Sequence, residues 1–290
     1  MTTTGGDWRA LPIAGGIAAC LLAALLGLGC KDAPSGTKTA PSATAAAQPE
    51  NAVVNRPRCP PDMAAVESYC VDIYEAHLVR ADAPDIVLPH DETPKREVPI
   101  MARSRAGMTP QGYVNRADAA RACKAAQKRL CSAKEWYQAC TGPRKTKYPY
   151  GDKEVPNRCN TGKPHLMQRL FGVGVPYTYL NHFNSPRLHK EPGFLAKTGE
   201  YSACVNEYGL YDLVGNLHEW VADDVSMRLL DEIPLEYGPK LLGADGSGAF
   251  MGGYFSSQGE HGHGCTYTTA THAADYHDYS TGFRCCANML

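Results

Sequence analysis

The chain has 290 residues, enough for one large domain or two small ones, and its composition is neither that of a fibrous protein nor that of a wholly disordered one. Its 29 Lys and Arg residues nearly balance its 30 Asp and Glu residues, and the formal net charge is −1 at pH 7. So small a total charge provides no broad field to attract nucleic acid or an anionic bilayer, and neither is expected as a partner on this ground.

The N-terminus predicts an exported protein that is anchored to a membrane. An uncharged apolar run extends from Leu11 to Gly29 behind Arg9, which is typical of a secretory signal. The small residue before Cys30 resembles a bacterial lipoprotein processing site, so we predict a signal peptide over residues 1–29 and a lipid on Cys30. Ordinary cleavage or an uncleaved anchor is the alternative, because the run is close to the about 20 residues that span a bilayer.

The composition of residues 30–58 predicts a disordered tether. They are rich in Ala, Pro, Ser and Thr and contain almost no large apolar side chain, so they cannot bury enough surface to offset the entropy of ordering. Residues 59–290 contain no second segment of this composition and no internal repeat. We therefore predict one domain over residues 59–290.

Cysteine usage agrees with export. Removing Cys20 and Cys30 from the twelve cysteines leaves ten, an even number, and no CxxC pair among them suggests a zinc site. In an exported chain this pattern predicts a disulfide framework, because disulfides do not persist in a reducing cytosol. The expected location is the periplasm or the cell surface.

Two helices are legible in the sequence. The first extends from about Asn115 to Gln127 and is rich in alanine. The second begins at Ser132, which forms a capping box with Glu135, and ends at Gly142.

Strands are predicted within residues 66–79 and 250–255, where apolar residues alternate or cluster. The 28 glycines and 21 prolines indicate turns and loops elsewhere. The predicted class is α+β, loop-rich and disulfide-stapled.

Four segments together resemble the formylglycine-generating enzyme family, also called the sulfatase-modifying factor family. They are, in chain order, RLCSAKEW at 129–136, YPYGD at 148–152, YGLYDLVGNLHEW at 208–220, and a Gly252-Gly253 pair with TGFRC at 281–285. MAAV at 63–66 and CVDIYE at 70–75 are similar to the family's first strands. The resemblance covers nearly the whole predicted domain and implies a C-type-lectin-like fold of the formylglycine-generating-enzyme type, with its two ends close together.

The resemblance also bears on the disulfides. It implies the bridges Cys123–Cys285 and Cys140–Cys265. Adjacent residues of a strand point to opposite faces, so Cys285 and Cys286 are expected to have different partners. With two bridges assigned, the remaining expected pairs are Cys131–Cys286, Cys159–Cys204 and Cys59–Cys70.

The same resemblance implies a structural calcium ion. The family's pattern places carboxylate ligands at Asp212 and Glu219 and carbonyl ligands at Gly215 and Leu217. Hard oxygen donors of this kind suit Ca²⁺. The alternative is that Asp212 and Glu219 cap turns or pair with a basic residue.

The catalytic cysteines of the family have no counterpart in this sequence. Members that form formylglycine use two cysteines after the paired glycines to bind copper and the substrate thiol, and Ser257 occupies the position of the first. The second is also missing, because Cys265 matches a structural cysteine. Serine is a poor ligand for Cu(I), so conversion of cysteine to formylglycine by that mechanism is not expected.

A different metal site is the alternative. His261 and His263 share a face if their segment is extended, and His218, His272 and His277 could approach them, a set that suits copper, zinc or iron. The competing interpretation is a polar loop with surface histidines.

The function that we predict is a non-catalytic binding or scaffold lipoprotein outside the cytoplasm, with an unidentified protein or small molecule as ligand and the membrane reached through the N-terminal lipid. The alternative is an oxidoreductase of the same family with altered metal ligands, in which copper or another transition metal acts. The absence of the cysteine pair favours the first, because a fold is not by itself evidence of activity.

Overall fold

The computed structural model of the chain describes residues 58–236 and 247–290, and all of them belong to one unit, Val54–Leu290. The predicted signal peptide, Cys30 and the predicted tether up to residue 57 lie outside the described residues. Within the described part of the chain, no helix has the length and apolar character needed to cross a membrane.

The first sheet joins the two ends of the domain. Its strands are β1 (Met63–Val66), β2 (Tyr69–Asp72), β5 (Arg129–Leu130) and β10 (Cys285–Asn288), in the order β1-β2-β10-β5, and all neighbours are antiparallel. The backbone N–H of Leu290 donates to the carbonyl of Arg58 at 3.0 Å. The expected closeness of the two ends is therefore confirmed.

A separate hairpin follows the first sheet. It pairs β3 (Ala76–Arg80) with β4 (Ile100–Ser104) in antiparallel register. The predicted extended region at 66–79 thus contains the last residue of β1, all of β2 and most of β3.

The second four-stranded sheet carries the segments on which the family resemblance depends. Its strands are β6 (His218–Asp224), β7 (Gly248–Met251), β8 (Thr268–His272) and β9 (Thr281–Phe283), in the order β8-β7-β6-β9. The β6–β9 pair is parallel and the other two pairs are antiparallel. The prediction of a strand over residues 250–255 was wrong in extent, because Gly252 and Gly253 adopt φ values of +87° and +75° and end β7 at Met251.

The described residues form five short α-helices around the sheets. They are α1 (Arg116–Ala125), α2 (Ala133–Thr141), α3 (Leu166–Phe171), α4 (Arg187–Lys190) and α5 (Met227–Glu232). A π-helical turn spans Tyr179–Phe183, and a 3₁₀ turn spans Gly264–Thr266.

Both predicted helices are present. Asn115 caps α1 by accepting from the Asp118 N–H at 2.8 Å, and Gln127, at φ +59°, leaves the helical region just beyond its end. In α2 the capping box forms as predicted, and Gly142 follows the last turn at φ +67°.

Five disulfides connect these elements. They are Cys59–Cys70, Cys123–Cys285, Cys131–Cys286, Cys140–Cys265 and Cys159–Cys204, the same pairs that were expected. Cys285 and Cys286, adjacent in β10, have different partners as predicted. The bridge from α1 to β10 closes a loop with a sequence separation of 162, for which the chain-entropy model gives a stabilisation of about 5 kcal/mol.

Candidate functional site

A cleft of about 290 Å³ opens beside the segment that follows β7. Its side-chain lining includes Tyr148, Tyr150, Glu154, Ser257, Gln258, His263 and Tyr267, and several glycines contribute backbone. Tyr148 and Tyr150 come from one tight turn in which the Tyr148 N–H donates to the Gly151 carbonyl at 2.8 Å, and their rings stack with centroids 5.5 Å apart. The lining of the cleft therefore combines aromatic and polar side chains.

Ser257 lies on the wall of this cleft and holds a turn closed. Its hydroxyl accepts from the Tyr254 N–H at 2.8 Å, while its own N–H donates to the Tyr254 carbonyl at 3.0 Å. A Cβ added at Gly253 would come within 2.8 Å of the Ser257 hydroxyl, so the turn leaves room only for glycine there. The contacts of Ser257 are those of a residue that maintains the loop.

Sulfur beside the cleft is present only as disulfide. Cys159 contributes to the lining and is bonded to Cys204, and Cys265, at the 3₁₀ turn, is bonded to Cys140. All ten cysteines among the described residues are bonded in pairs. Residues 58–236 and 247–290 therefore offer no thiolate to a soft metal or to a substrate thiol.

His218 is enclosed by aromatic rings. Its ring centroid lies 4.8 Å from that of Phe250, 5.0 Å from that of Tyr254 and 5.5 Å from that of Tyr267. Burial holds the pKa of His218 well below its usual value, and nearby His261 adds to the effect. A neutral imidazole in such an enclosure packs as an aromatic residue, and its Nδ1 has no hydrogen-bond partner in the described structure.

The other histidines of the alternative metal site have separate partners. His261 is exposed, with its ring edge-on to Tyr267 at 5.7 Å, whereas the Nδ1 atom of His263 lies 3.0 Å from a Glu236 carboxylate oxygen. His272 stacks on Tyr276 at 3.9 Å between ring centroids.

His277 lies elsewhere again, where its carbonyl accepts from the Tyr179 hydroxyl at 2.8 Å. Over the two described ranges, no three His, Cys, Asp or Glu side chains are grouped so as to hold a metal ion. The arrangement thus gives no support to a transition-metal site built from these histidines.

Glu219, one of the predicted calcium ligands, is engaged by a buried arginine. Its Oε1 accepts from Arg284 at 2.7 Å, and its Oε2 accepts from the Arg284 Nε at 2.7 Å and from the Trp136 indole N–H at 2.6 Å. A cation bound to this carboxylate would lie within a few ångströms of a guanidinium charge. Glu219 therefore does not fit a calcium ion in this arrangement.

The other predicted calcium ligands lie in the turn before β6. Asp212 has φ +57°, and its carboxylate accepts from the Gly199 N–H at 2.7 Å. Burial raises the pKa of Asp212 to about 6, and the neighbouring Glu219 carboxylate contributes. A bound cation would reverse that shift. The four predicted ligands therefore do not fit calcium as a set, and binding through Asp212, Gly215 and Leu217 without Glu219 is a question for experiment.

Gly215 allows two backbone segments to approach each other. A Cβ there would come within 2.2 Å of the Asn160 carbonyl oxygen, and that oxygen accepts from the Asn216 N–H at 2.9 Å. Glycine, which has no side chain, permits this approach.

Glu75 is a central residue that the sequence did not single out. Its carboxylate accepts from the Leu217 N–H at 3.0 Å and from the Asn216 side-chain amide at 2.5 Å, and it is fully buried. Burial raises its pKa well above the usual value, and the Asp212 and Glu219 carboxylates add to the effect. The only signal in the sequence was its place in the CVDIYE segment, which resembles the family's first strands.

Comparisons with known proteins identify relatives of this chain. Over 127 residues the chain is 36% identical to the inactive C-alpha-formylglycine-generating enzyme 2 of Bos taurus, and the alignment covers 42% of this chain and 36% of that protein. The chain thus spans only about a third of the length of this curated relative.

Solved structures with similar folds include PvdO from Pseudomonas aeruginosa, with a TM-score of 0.41 and 17% identity over 76% of this chain and 80% of that chain. The P3c variant of the Major Tropism Determinant has a TM-score of 0.41 and 15% identity over 81% of this chain and 54% of that chain. The model of the sulfatase-modifying factor enzyme 1-like domain matches residues 72–289, which is more than half of the chain. The α+β, loop-rich fold is therefore the formylglycine-generating-enzyme type that the resemblance implied, and the chain belongs to the FGE-sulfatase family.

Proposed function

We propose that this protein is a non-catalytic binding protein of the FGE-sulfatase family, which is held at a membrane outside the cytoplasm by a lipid on Cys30. The observation that carries the proposal is the state of sulfur at the cleft. Ser257 stands where the family resemblance places the first catalytic cysteine, and every cysteine of the described residues is in a disulfide. Loss of an essential nucleophile commonly lowers the rate on the order of a million-fold.

The relative's name supports the same proposal. The bovine protein that shares 36% identity over 127 residues is itself described as inactive. A domain of this family can therefore exist without the activity for which the family is named.

Location outside the cytoplasm follows from the disulfides. Five bridges within the described residues indicate an extracytoplasmic protein, because such bonds do not survive in a reducing cytosol. Lipidation of Cys30 is our proposal and depends on the sequence before it. Mass spectrometry of the mature N-terminus tests it, since an N-terminus other than a lipidated Cys30 would refute the anchor.

The cleft beside Ser257 is the proposed ligand site. Its volume of about 290 Å³ lies near the lower end of small-molecule sites, so it suits a small ligand or a single side chain of a protein partner. Tyr148, Tyr150 and Tyr267 supply aromatic surface, and Ser257 and Gln258 supply polar groups.

A peptide assay tests the absence of catalysis. The full chain is incubated with oxygen, copper and a peptide that carries the motif Cys-x-Pro-x-Arg, and an active formylglycine-generating enzyme is the positive control. Conversion would remove about 18 Da from the peptide, as expected when one sulfur is exchanged for one oxygen and two hydrogens are lost. We expect an unchanged mass with this protein, and conversion by the wild-type chain would overturn the proposal.

The oxidoreductase alternative has its own test. Metal analysis of the purified chain is compared with that of a variant carrying His261→Ala and His263→Ala. We expect no stoichiometric copper, zinc or iron in either protein. Stoichiometric metal that is lost in the double variant would favour the alternative.

A further inference from the structure

An exposed apolar loop, residues 172–183, projects from the domain between α3 and α4. Its exposed side chains include Val173, Val175, Tyr179 and Leu180, with relative exposures of 82%, 37%, 37% and 77%. These are four of the large hydrophobic residues that the described structure leaves exposed, and they lie within eight positions of one another. Contiguous exposed apolar residues commonly mark an interaction site.

Hydrogen bonds from two tyrosine hydroxyls hold the loop in place. The Tyr177 hydroxyl donates to the Gly172 carbonyl at 2.6 Å, and the Tyr179 hydroxyl donates to the His277 carbonyl at 2.8 Å. The π-helical turn Tyr179–Phe183 continues the loop, so Leu180 is presented to solvent on a regular element.

A buried apolar cluster supports the loop from below. Phe171, Tyr177 and Phe183 of the surrounding segment pack against this cluster, which is formed by Tyr113, Leu166, Met167, Leu188, Phe194, Phe255 and Tyr279. These neighbours fix the backbone of the loop, so the position of the loop does not depend on burial of Val173 and Leu180. Their exposure is a property of the fold.

The charged side chains of the segment that contains the loop, residues 155–190, are all basic. Residues 155–190 contain none of the chain's 30 Asp and Glu residues, although they include Arg158, Lys163, Arg169, Arg187 and Lys190. Glu191 and Asp91, which border the segment, pair with Arg169 at 2.8 Å and with Lys190 at 3.1 Å.

Arg187 remains available to a partner. It is exposed, its guanidinium lies 5.4 Å from the Phe171 ring centroid, and it has no carboxylate partner among the described residues. Although the total charge is −1, the surface around Arg187 combines a basic group with exposed apolar side chains of the loop.

We propose that residues 172–183 insert into the surface of an anionic bilayer, with Val173 and Leu180 at the boundary between headgroups and acyl chains and Arg187 beside the lipid phosphates. An apolar tip with basic flanking residues is the composition of segments that lie at a membrane interface, where apolar burial and attraction to anionic lipid act together. A protein partner of this loop would need acidic groups to face the same basic residues, whereas a bilayer provides both the apolar layer and the negative charge.

This inference rests on the proposed anchor at Cys30. If residues 30–58 form the tether that their composition predicts, its root-mean-square reach is about 30 Å, and a lipid on Cys30 would keep the domain within that distance of the bilayer. Binding of the loop then becomes an intramolecular event at high effective concentration, and a loop with a weak intrinsic affinity suffices.

The test uses the full lipidated chain reconstituted into vesicles of phosphatidylglycerol and phosphatidylethanolamine that carry brominated acyl chains. Leu180→Trp places a fluorophore at the loop tip, and Met227→Trp, at a residue 61% exposed on α5, is the matched control. Trp136 and Trp220 are at most 1% exposed and contribute the same background to both variants.

We expect about twofold quenching of the added tryptophan in Leu180→Trp and almost none in Met227→Trp, because interfacial insertion brings a side chain to the acyl boundary. The substitution Arg187→Gln should reduce the quenching of the Leu180→Trp protein. Vesicles of phosphatidylcholine alone should also reduce this quenching. Equal quenching of both variants, or no quenching of either, would overturn the proposal for the loop.

Flotation of the same samples separates this inference from the anchor. If the chain floats and the loop is not quenched, the anchor stands and the loop proposal fails. If the chain does not float after reconstitution, the anchor fails, and the loop is then judged by sedimentation of the chain with preformed anionic vesicles. Sedimentation that Leu180→Asp abolishes would support the loop, and no sedimentation of the wild-type chain would refute it.

Discussion

Arg284 holds both carboxylate oxygens of Glu219 at 2.7 Å, and neither side chain is more than 1% exposed. Arg284 also donates to the Asp72 carbonyl at 3.0 Å and to the Tyr211 carbonyl at 2.7 Å. The pair therefore connects the second sheet, through Glu219 in β6, with β2 of the first sheet and with the turn before β6. A buried ion pair with this many hydrogen bonds fixes how these elements are arranged.

Removal of one partner of this pair should destabilise the domain strongly. Arg284→Met leaves the Glu219 carboxylate buried without its cation, and we expect a loss of about 3–5 kcal/mol in the free energy of unfolding. Denaturant unfolding without reductant measures it. The double variant Arg284→Met with Glu219→Leu is the control and should be more stable than Arg284→Met alone. A single variant within about 1 kcal/mol of the wild type would contradict the importance of the pair.

The pairing of Arg284 with Glu219 also leads to a prediction about calcium binding. Because Arg284 occupies Glu219, we expect the Tm of the wild-type chain to be the same in calcium and in a chelator. Saturation at about 100 times the dissociation constant would otherwise stabilise the protein by about 2.7 kcal/mol. The measurement is thermal unfolding of the wild type and of Asp212→Asn in both conditions. A rise in Tm with calcium that disappears in Asp212→Asn would restore the calcium site at Asp212.

Local patterns in the sequence predicted the local structure well. The capping box of Ser132 and Glu135 involves residues three positions apart, and it forms as predicted. The family resemblance gave two of the disulfide bridges, and the three further pairs that were expected are also present.

Long-range polar contacts could not be predicted in the same way. Glu75 reaches Asn216 and Leu217 across sequence separations of 141 and 142, and no local pattern indicates which backbone N–H a buried carboxylate will meet. The partner of Glu219 was left open between a cation and a base, and the three-dimensional arrangement supplies Arg284. The exposed position of Leu180 was equally hidden, since an apolar residue in a sequence does not reveal whether the fold covers it.

Gly215 should tolerate no side chain. In Gly215→Ala the new Cβ would meet the Asn160 carbonyl oxygen at 2.2 Å at a φ of +84°, so the clash adds to the strain of a left-handed backbone. We expect a loss of about 3 kcal/mol or more in the free energy of unfolding. Gly107→Ala is the matched control, because Gly107 has φ +73° with no atom within 4 Å of the added Cβ. The control should lose only about 1–2 kcal/mol, and equal losses in the two variants would show that the contact with Asn160 is unimportant.

His189 should make the domain sensitive to acid. Its ring is buried against Tyr113 at 4.8 Å between ring centroids, and its Nε2 lies 2.5 Å from the Tyr279 carbonyl oxygen. Burial lowers the pKa of His189 to about 4, although the hydrogen bond to the Tyr279 carbonyl acts in the opposite direction. The packed ring is therefore neutral at physiological pH.

The sign of the effect follows from the two protonation states. Below pH 6.5 the unfolded chain gains a proton on this histidine, whereas the folded chain gains it only near pH 4, so stability is lost as the pH falls between these values. The expected loss is about 3 kcal/mol.

His189→Gln isolates this contribution, because glutamine does not titrate and its amide can still donate to the Tyr279 carbonyl. The variant is expected to be less stable than the wild type at pH 7.5, because the ring packing is lost, and the difference should shrink by about 3 kcal/mol as the pH falls to 4. Denaturant unfolding at a series of pH values measures it, with His165→Gln, at an exposed histidine, as the control. A difference between wild type and His189→Gln that stays constant with pH would show that the ring is not held neutral by burial.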